Sequence, residues 1–344
     1  MPFKNKGKSA ETVQGKIVAE YLSKYPDWFP VSSLARIIAK ENPHTFDGAE
    51  SARSSLRYYL GKRGEADRKK GDKSFHEKKE RSFSPFAQPP TWTKEKEIFK
   101  FPVALKKAGF ISDLQVPFHD PKAVQLTVDY LLEQDIDCLI INGDFVDFYG
   151  ISSFEKDPRE RKFKDEYDAV LMELGYLRKS FPNIPIYYNL DANHEFRYER
   201  YMRSKAPELI GIDPFENLED MLMLNKFNII PLKGYDHLKW GKLPIIHGDT
   251  VFKRGSGVNP AKYLFDKLRQ SCIASHVHRT AEFTSKNKFD NEHFTCYTVG
   301  HLMHPNVEYC KHIDEYNQGF AILEKDQKGY YRVHNKRIIN GMIF

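Results

Sequence analysis

Cysteine is scarce. The chain holds four, Cys138, Cys272, Cys296 and Cys310, widely scattered and without a CxxC pair. That spacing argues against a disulfide framework and a zinc knuckle, and leaves reduced core residues. No apolar run reaches the roughly 18 residues a membrane-spanning helix needs. The N-terminus lacks the ordered charged, apolar and small-residue regions of a secretory signal. The expectation is a cytoplasmic protein that does not enter a membrane. No internal repeat recurs. What the chain does hold is aromatic: 25 Phe and 19 Tyr within a 40% hydrophobic composition, enough for a sizeable core. Its 344 residues suit one large domain and a small one.

Charge is unevenly placed. Residues 1–100 carry 21 Lys and Arg against 13 Asp and Glu, whereas the remainder carries 32 against 34. A basic first third on a near-neutral body suggests contact with a polyanion, although solubility alone would also account for it. Within residues 1–63 the apolar spacing predicts three short helices. The first runs from Glu11 to Lys24 with Val13, Ile17 and Tyr21 on one face. The second is capped by Ser32-Ser33, and the third runs from about Ala49 to Leu60 with Gly61 as its C-cap. The third carries Arg53 and Arg57, with Lys62 and Arg63 just past it. Three short helices with a basic third one resemble a helix-turn-helix or winged-helix module, which would bind nucleic acid; a purely structural bundle gives the same pattern. From 64 to 101 the apolar period disappears into mixed charge and prolines, as in a basic linker, partly packed through Phe86 and Trp92.

From 102 to 344 strands and helices alternate. The pattern predicts strands at 109–112, 137–142, 185–190, 228–231, 243–247 and 271–275. Helices are expected at 121–134, 165–180 and 259–270, with a helical region at 195–224. Strand-like runs follow at 293–299, 319–324 and 329–338, the last two joined by a turn around Asp326-Gln327-Lys328-Gly329.

The chemistry lies where the apolar runs stop. In CLIINGDFVDF, Cys138–Ile141 is followed by Gly143-Asp144 and then Asp147. Ligands of α/β sheets bind beyond the carboxyl ends of strands, and Gly143 lets the backbone turn there without a side chain in the way. The event recurs. Asp113 and Gln115 follow AGFIS, Asn193 and His194 follow IYYNLDA, His247 follows LPII, and His276 and His278 follow SCIAS. Carboxylate, amide and imidazole together suit two first-row divalent ions.

Asp113-x-Gln115, Gly143-Asp144-x-x-Asp147, Asn193-His194-Glu195, His247-Gly248-Asp249 and His276-x-His278 resemble, in order and spacing, the five blocks of calcineurin-like metallophosphoesterases. The resemblance covers roughly 102–340 and implies an α/β fold, a two-sheet αββα sandwich with both metals at one edge. Carried over by position, Asp113, Gln115 and His278 would bind the first metal. Asn193, His247 and His276 would bind the second, and Asp144 would bridge them. His194 would donate a proton to the leaving oxygen, and Asp147 would orient it and favour its charged form. Arg197 is a candidate for a phosphate oxygen. His119, Asp249, His301 and His304 are weaker candidates, His119 either at the mouth of the site or as a cap of the next helix.

The sequence departs from the family at three places. Gln115 stands where the family has His. An amide oxygen suits manganese or magnesium better than zinc or iron. Manganese is therefore the expected ion, with magnesium, zinc, iron and nickel as alternatives. Ala192 and Ser275 replace glycines of the third and fifth blocks; both are small. The second block ends as Asp147-Phe148-Tyr149 rather than the Asp-Arg-Gly of protein phosphatases. The expected function is metal-dependent phosphodiester hydrolysis on nucleic acid. A phosphomonoesterase acting on small molecules or proteins, and a catalytically weak nucleic-acid-binding protein, are the alternatives. A small basic module before such a body looks like bacterial or phage enzymes.

Overall fold

Leu139 and Ile141 point to one side of a strand and Ile140 to the other, and all three are fully buried. A strand that is apolar on both faces needs cover on both. The computed structural model supplies it in four layers; it describes residues 12–60, 90–153, 162–253, 256–307 and 315–344. Cys310, Lys62, Arg63 and most of the expected linker, including Phe86, lie outside those residues, as does Gly61. The chain divides into two compact units, Met1–Pro90 and Thr91–Phe344.

In the first unit, α1 (Val13–Lys24), α2 (Val31–Glu41) and α3 (Ala49–Tyr59) pack Val18, Leu34, Ile38, Phe46, Ala52, Leu56 and Tyr59 into one core. Thr12 caps α1 by accepting from the Gly15 amide at 3.1 Å. Ser32-Ser33 do not cap α2. Pro30 occupies the N-cap, and the serines fall in the first turn. The exposed face of α3 carries Glu50, Arg53, Ser54, Arg57 and Tyr58.

The second unit contains two sheets. One has seven strands: β2 (Lys107–Ile111), β3 (Cys138–Ile141), β4 (Ile186–Asn189), β5 (Ile229–Leu232), β11 (Gln318–Lys325), β12 (Tyr331–Ile339) and β13 (Met342–Ile343). Its order is β13-β12-β11-β2-β3-β4-β5, with β2 to β5 parallel. The other has β1 (Ile98–Lys100), β6 (His237–Trp240), β7 (Leu243–Ile245), β8 (Cys272–Ala274), β9 (Ala281–Lys286) and β10 (His293–Thr298), ordered β1-β6-β7-β8-β10-β9. Phe110, Ile140 and Tyr187 meet Trp240, Ile245 and Ile273 between the sheets. On the outer face of the first sheet, Leu139, Ile141 and Tyr188 share a core with α4 (Pro121–Glu133), α5 (Phe163–Ser180) and α6 (Glu195–Lys205). Outside the second lies α8 (Pro260–Leu268). The αββα sandwich is thus present.

Several boundaries differ from the sequence expectation. Ile98–Lys100 pairs with β6 and so belongs to a sheet rather than to a linker reaching 101. The helical region 195–224 breaks into α6, a single 3-10 turn at Pro207–Leu209 and α7 (Leu218–Met221). Strands β6 and β9 gave no apolar run. β9 alternates half-buried and exposed residues at a sheet edge, so nothing apolar marks it.

Candidate metal centre

Every expected ligand follows the carboxyl end of a strand, and those strands are neighbours. β2, β3 and β4 are adjacent and parallel in one sheet; β7 and β8 are adjacent and parallel in the other. Asn142 ties the two rims. Its amide donates to the Ile246 carbonyl at 2.8 Å and to Ser275 Oγ at 3.0 Å, and its Oδ1 accepts from Asn189 at 3.2 Å. Ser275, seen in the sequence only as a small substitute for glycine, therefore has a hydroxyl in use.

The turns are tight. Asp113, Gln115, Asp144, His276 and His278 all have φ between 47° and 70°, the left-handed region. Each such residue costs about 1–2 kcal/mol, so five of seven expected ligands are held in strained backbone by their surroundings. Gly143 has φ +88°, and a Cβ there would lie 2.4 Å from Cβ of Ala192. The Asp113 amide donates to the Gly143 carbonyl at 3.2 Å and the Gln115 amide to the Asp144 carbonyl at 3.0 Å, laying the two loops side by side. The Glu195 carboxylate accepts from the Asp144 and Phe145 amides at 3.0 and 2.9 Å and from Tyr188 Oη at 2.6 Å. Burial and the nearby Asp144 charge push Glu195 up to about 7. Sequence reasoning did not assign this buttress, because Glu195 was visible only as the last letter of a block.

Around Asp144, His247 Nε2 lies 3.2 Å from Oδ2 and His276 Nδ1 4.0 Å from it. One ligand atom each from Asp144, His247 and His276 falls within a mutual 4.8 Å. His247 Nδ1 sits 2.8 Å from the Asn142 carbonyl, to which it would donate, turning Nε2 toward Asp144 and toward Asn193 Oδ1 at 3.2 Å. Burial lowers the pKa of His247, but the Asp144 carboxylate more than compensates and raises it to about 10. A divalent ion binds the neutral imidazole, so ion binding here would be coupled to loss of that proton. Burial works against the ionised form of Asp144, yet His194, His247 and His276 keep its carboxyl well below the usual range.

Asp113 and His278 form the neighbouring group. His278 Nε2 is 3.1 Å from Asp113 Oδ1, and the Gln115 side-chain nitrogen is 3.3 Å from His278 Nε2. Rotating the amide would bring its oxygen to the same position. Asp113 Oδ2 also accepts from the His276 amide at 3.2 Å, joining the two groups.

One of these residues has an unmet valence that fits a divalent cation: His276 Nδ1, 4.0 Å from Asp144 Oδ2, is buried without a hydrogen-bond partner. Such groups cost about 1–3 kcal/mol each unless something occupies the lone pair.

His194 Nε2 is 3.8 Å from Asp144 Oδ2, and its Nδ1 is 3.8 Å from Asp147 Oδ2. Asp147 thus lies beside the ring as an ion-pair partner and favours its charged form. Its Oδ1 takes Arg197 Nη1 at 3.0 Å, and Arg197 Nη2 lies 3.1 Å from His194 Nε2. Burial first, then the Arg197 charge, lowers the pKa of His194 despite Asp144 and Asp147. The charged imidazole is therefore not favoured.

Of the weaker candidates, His301 is buried 5.3 Å from the His278 ring, ring centre to ring centre, and accepts from the Met303 amide. His304 accepts from the Asn306 amide. His119 neither caps a helix nor lies among the ligands: Asp120 caps α4, and His119 faces Glu173 of α5 at 3.5 Å. Asp249 lines a small cavity beside Asn193.

Residues 106–319 match the family described as calcineurin-like phosphoesterase. The chain belongs to the calcineurin-like phosphoesterase family, whose chemistry is metal-dependent phosphoester hydrolysis and whose members bind two divalent metals. The Gene 54 protein of Mycobacterium phage D29 is 25% identical over 179 residues, 51% of this chain and 69% of that protein. Among solved structures, Vacuolar Protein Sorting 29 from Cryptosporidium parvum superposes with a TM-score of 0.37 at 13% identity, covering 70% of this chain and 95% of that one. Chaetomium thermophilum Vps29 gives 0.34 at 14% identity over 70% and 95%.

Proposed function

We propose that this chain hydrolyses phosphodiester bonds at a two-metal centre and that nucleic acid is its substrate class. One observation carries the hydrolytic part: the Asp144 carboxylate lies between two imidazoles with ligand atoms within 4.8 Å, and one of those atoms, His276 Nδ1, is buried without a hydrogen-bond partner. Asp113, Gln115, His278 and Asp144 would hold one ion; Asp144, Asn193, His247 and His276 would hold the other. Bound ions would supply Lewis acidity toward the phosphoryl oxygens and lower the pKa of water. Manganese is the proposed ion, because Gln115 offers an amide oxygen rather than imidazole.

The chain's own groups do the rest. His194, 3.8 Å from Asp144, would give its proton to the leaving oxygen. Its lowered pKa makes it a poor proton carrier alone, so the negative charge of an arriving phosphate is what would load it. Asp147 and Arg197 position it: the carboxylate fixes the guanidinium, and the guanidinium borders the ring. For nucleic acid, the support is the exposed Arg53 and Arg57 face of α3 within a basic N-terminal third.

The test is turnover of bis-p-nitrophenyl phosphate with manganese, compared with p-nitrophenyl phosphate. Diester hydrolysis should fall about 10²–10⁴-fold in His194→Ala. Faster turnover of the monoester would point to a phosphomonoesterase. No turnover with any divalent ion would leave a binding protein on this fold.

A further inference from the structure

Besides the Asp249 cavity, two others each reach one of the centre's ligands, and their chemistries differ. One, about 620 Å³, touches Asn193 and runs beside α6. Among the described residues its walls carry three cations, Arg197, held by Asp147 at 3.0 Å, and the exposed Arg200 and Lys205, together with hydroxyls of Ser152, Ser153, Tyr201 and Ser204, and no carboxylate. The other, about 720 Å³, touches His276 and is walled by Phe252, Val258 and Tyr316. Its one cation among the described residues, Arg279, is already spent on Glu315 at 3.4 Å and on the Gly257 carbonyl at 2.8 Å.

The cations of the first cavity follow helix geometry. Residues 197, 200–201 and 204–205 recur every three or four positions, so they share a face and step about 5.4 Å per turn away from His194. Arg200 and Lys205 make no ion pair with any described residue, whereas Arg203, off this wall, is tied to Glu199 at 2.7 Å. Arg200 instead rests over the Phe196 ring at 5.5 Å. An exposed planar guanidinium six residues beyond His194, resting on a ring and in no ion pair with a described residue, is suited to a phosphate oxygen pair.

We propose that this α6 cavity is a subsite for a second phosphate, the one next to the scissile bond in a nucleic acid strand. The uncharged part of the nucleotide on the other side of that bond would enter the Phe252, Val258 and Tyr316 cavity. The proposal rests on the hydrolytic reading of the same centre and adds its substrate: a strand with consecutive phosphates, not an isolated diester.

The test compares the dinucleoside monophosphate TpT with pTpT and TpTp, which differ only by one added phosphate. In the native full chain with manganese, one of the two-phosphate forms should be cleaved with a kcat/KM about tenfold higher than TpT. That ratio should fall to about one in Arg200→Gln/Lys205→Gln and should persist in Arg203→Gln. Calorimetric titration of the same three compounds into the metal-free chain reads the same preference without turnover. Equal binding and equal cleavage of all three compounds would overturn the subsite, as would a preference that survives the double substitution. Discrimination in binding without cleavage of any diester would overturn the hydrolytic reading and leave the subsite standing.

Discussion

The two halves of the candidate centre share Asp144 but are built differently. On the His247 side, ring orientation is fixed from behind: Nδ1 faces the Asn142 carbonyl, Asn142 is anchored to both sheets, and Nε2 meets Asp144 and Asn193. On the Asp113 side, His278 keeps an unpartnered Nδ1, and the third expected ligand is an amide, Gln115, where the family has imidazole. A ligand with a fixed tautomer loses little freedom on binding a cation. The difference teaches that the Asn193–His247–His276 half should hold its ion more tightly than the Asp113–Gln115–His278 half.

The largest effect should come from breaking what both halves share. In Gly143→Ala the new Cβ would meet Ala192 at 2.4 Å and His247 Nδ1 at 3.0 Å, in backbone at φ +88°. Stability should drop by about 2–5 kcal/mol in urea unfolding, and both ions should be lost together. A variant with native stability and full metal content would mean the turn is not the shared support. A narrower change sharpens the contrast. Gln115→His should lower the manganese concentration for half-maximal activity about tenfold and raise the metal content of the weaker site; an unchanged titration would put the asymmetry elsewhere.

The smallest effect removes a titration unrelated to either half. Burial raises Glu173 from 4.5 to about 7, and burial lowers its neighbour His119. A carboxyl with a raised folded pKa contributes stability that is complete below pH 4.5 and lost as pH climbs through about 7. Native protein should therefore lose about 1–2 kcal/mol from this group between pH 5 and 8, with the full shift discounted for its partial exposure. Glu173→Gln should abolish that loss, and urea midpoints at the two pH values measure it. Parallel pH curves for native and variant would place the titration on another residue.

Much of this was legible because burial on both faces writes itself into sequence. Cys138–Ile141 is an unbroken apolar run, and the polar letters that end such runs are the ones at the rim. Strands with one wet face or a sheet-edge position were not legible: β6 and β9 carry too little apolar pattern, and β1 hid in a charged stretch. Nor were partners across the fold. Nothing local reveals that Glu195 caps the Asp144 amide, that Asp147 engages Arg197 before His194, or that His119 turns to α5.

By itself, then, the sequence determined which residue types end which strands, and hence a set of seven candidate metal-ligand side chains and the family to which the chain belongs. Only the tertiary structure decided that Asp113 and His278, 165 positions apart, come within 3.1 Å, which imidazole nitrogen faces Asp144, and that one flanking cavity is cationic while the other is aromatic. Short-range pattern records how a residue meets its own strand. Distances between loops are set by strand order and sheet packing, which no local pattern encodes.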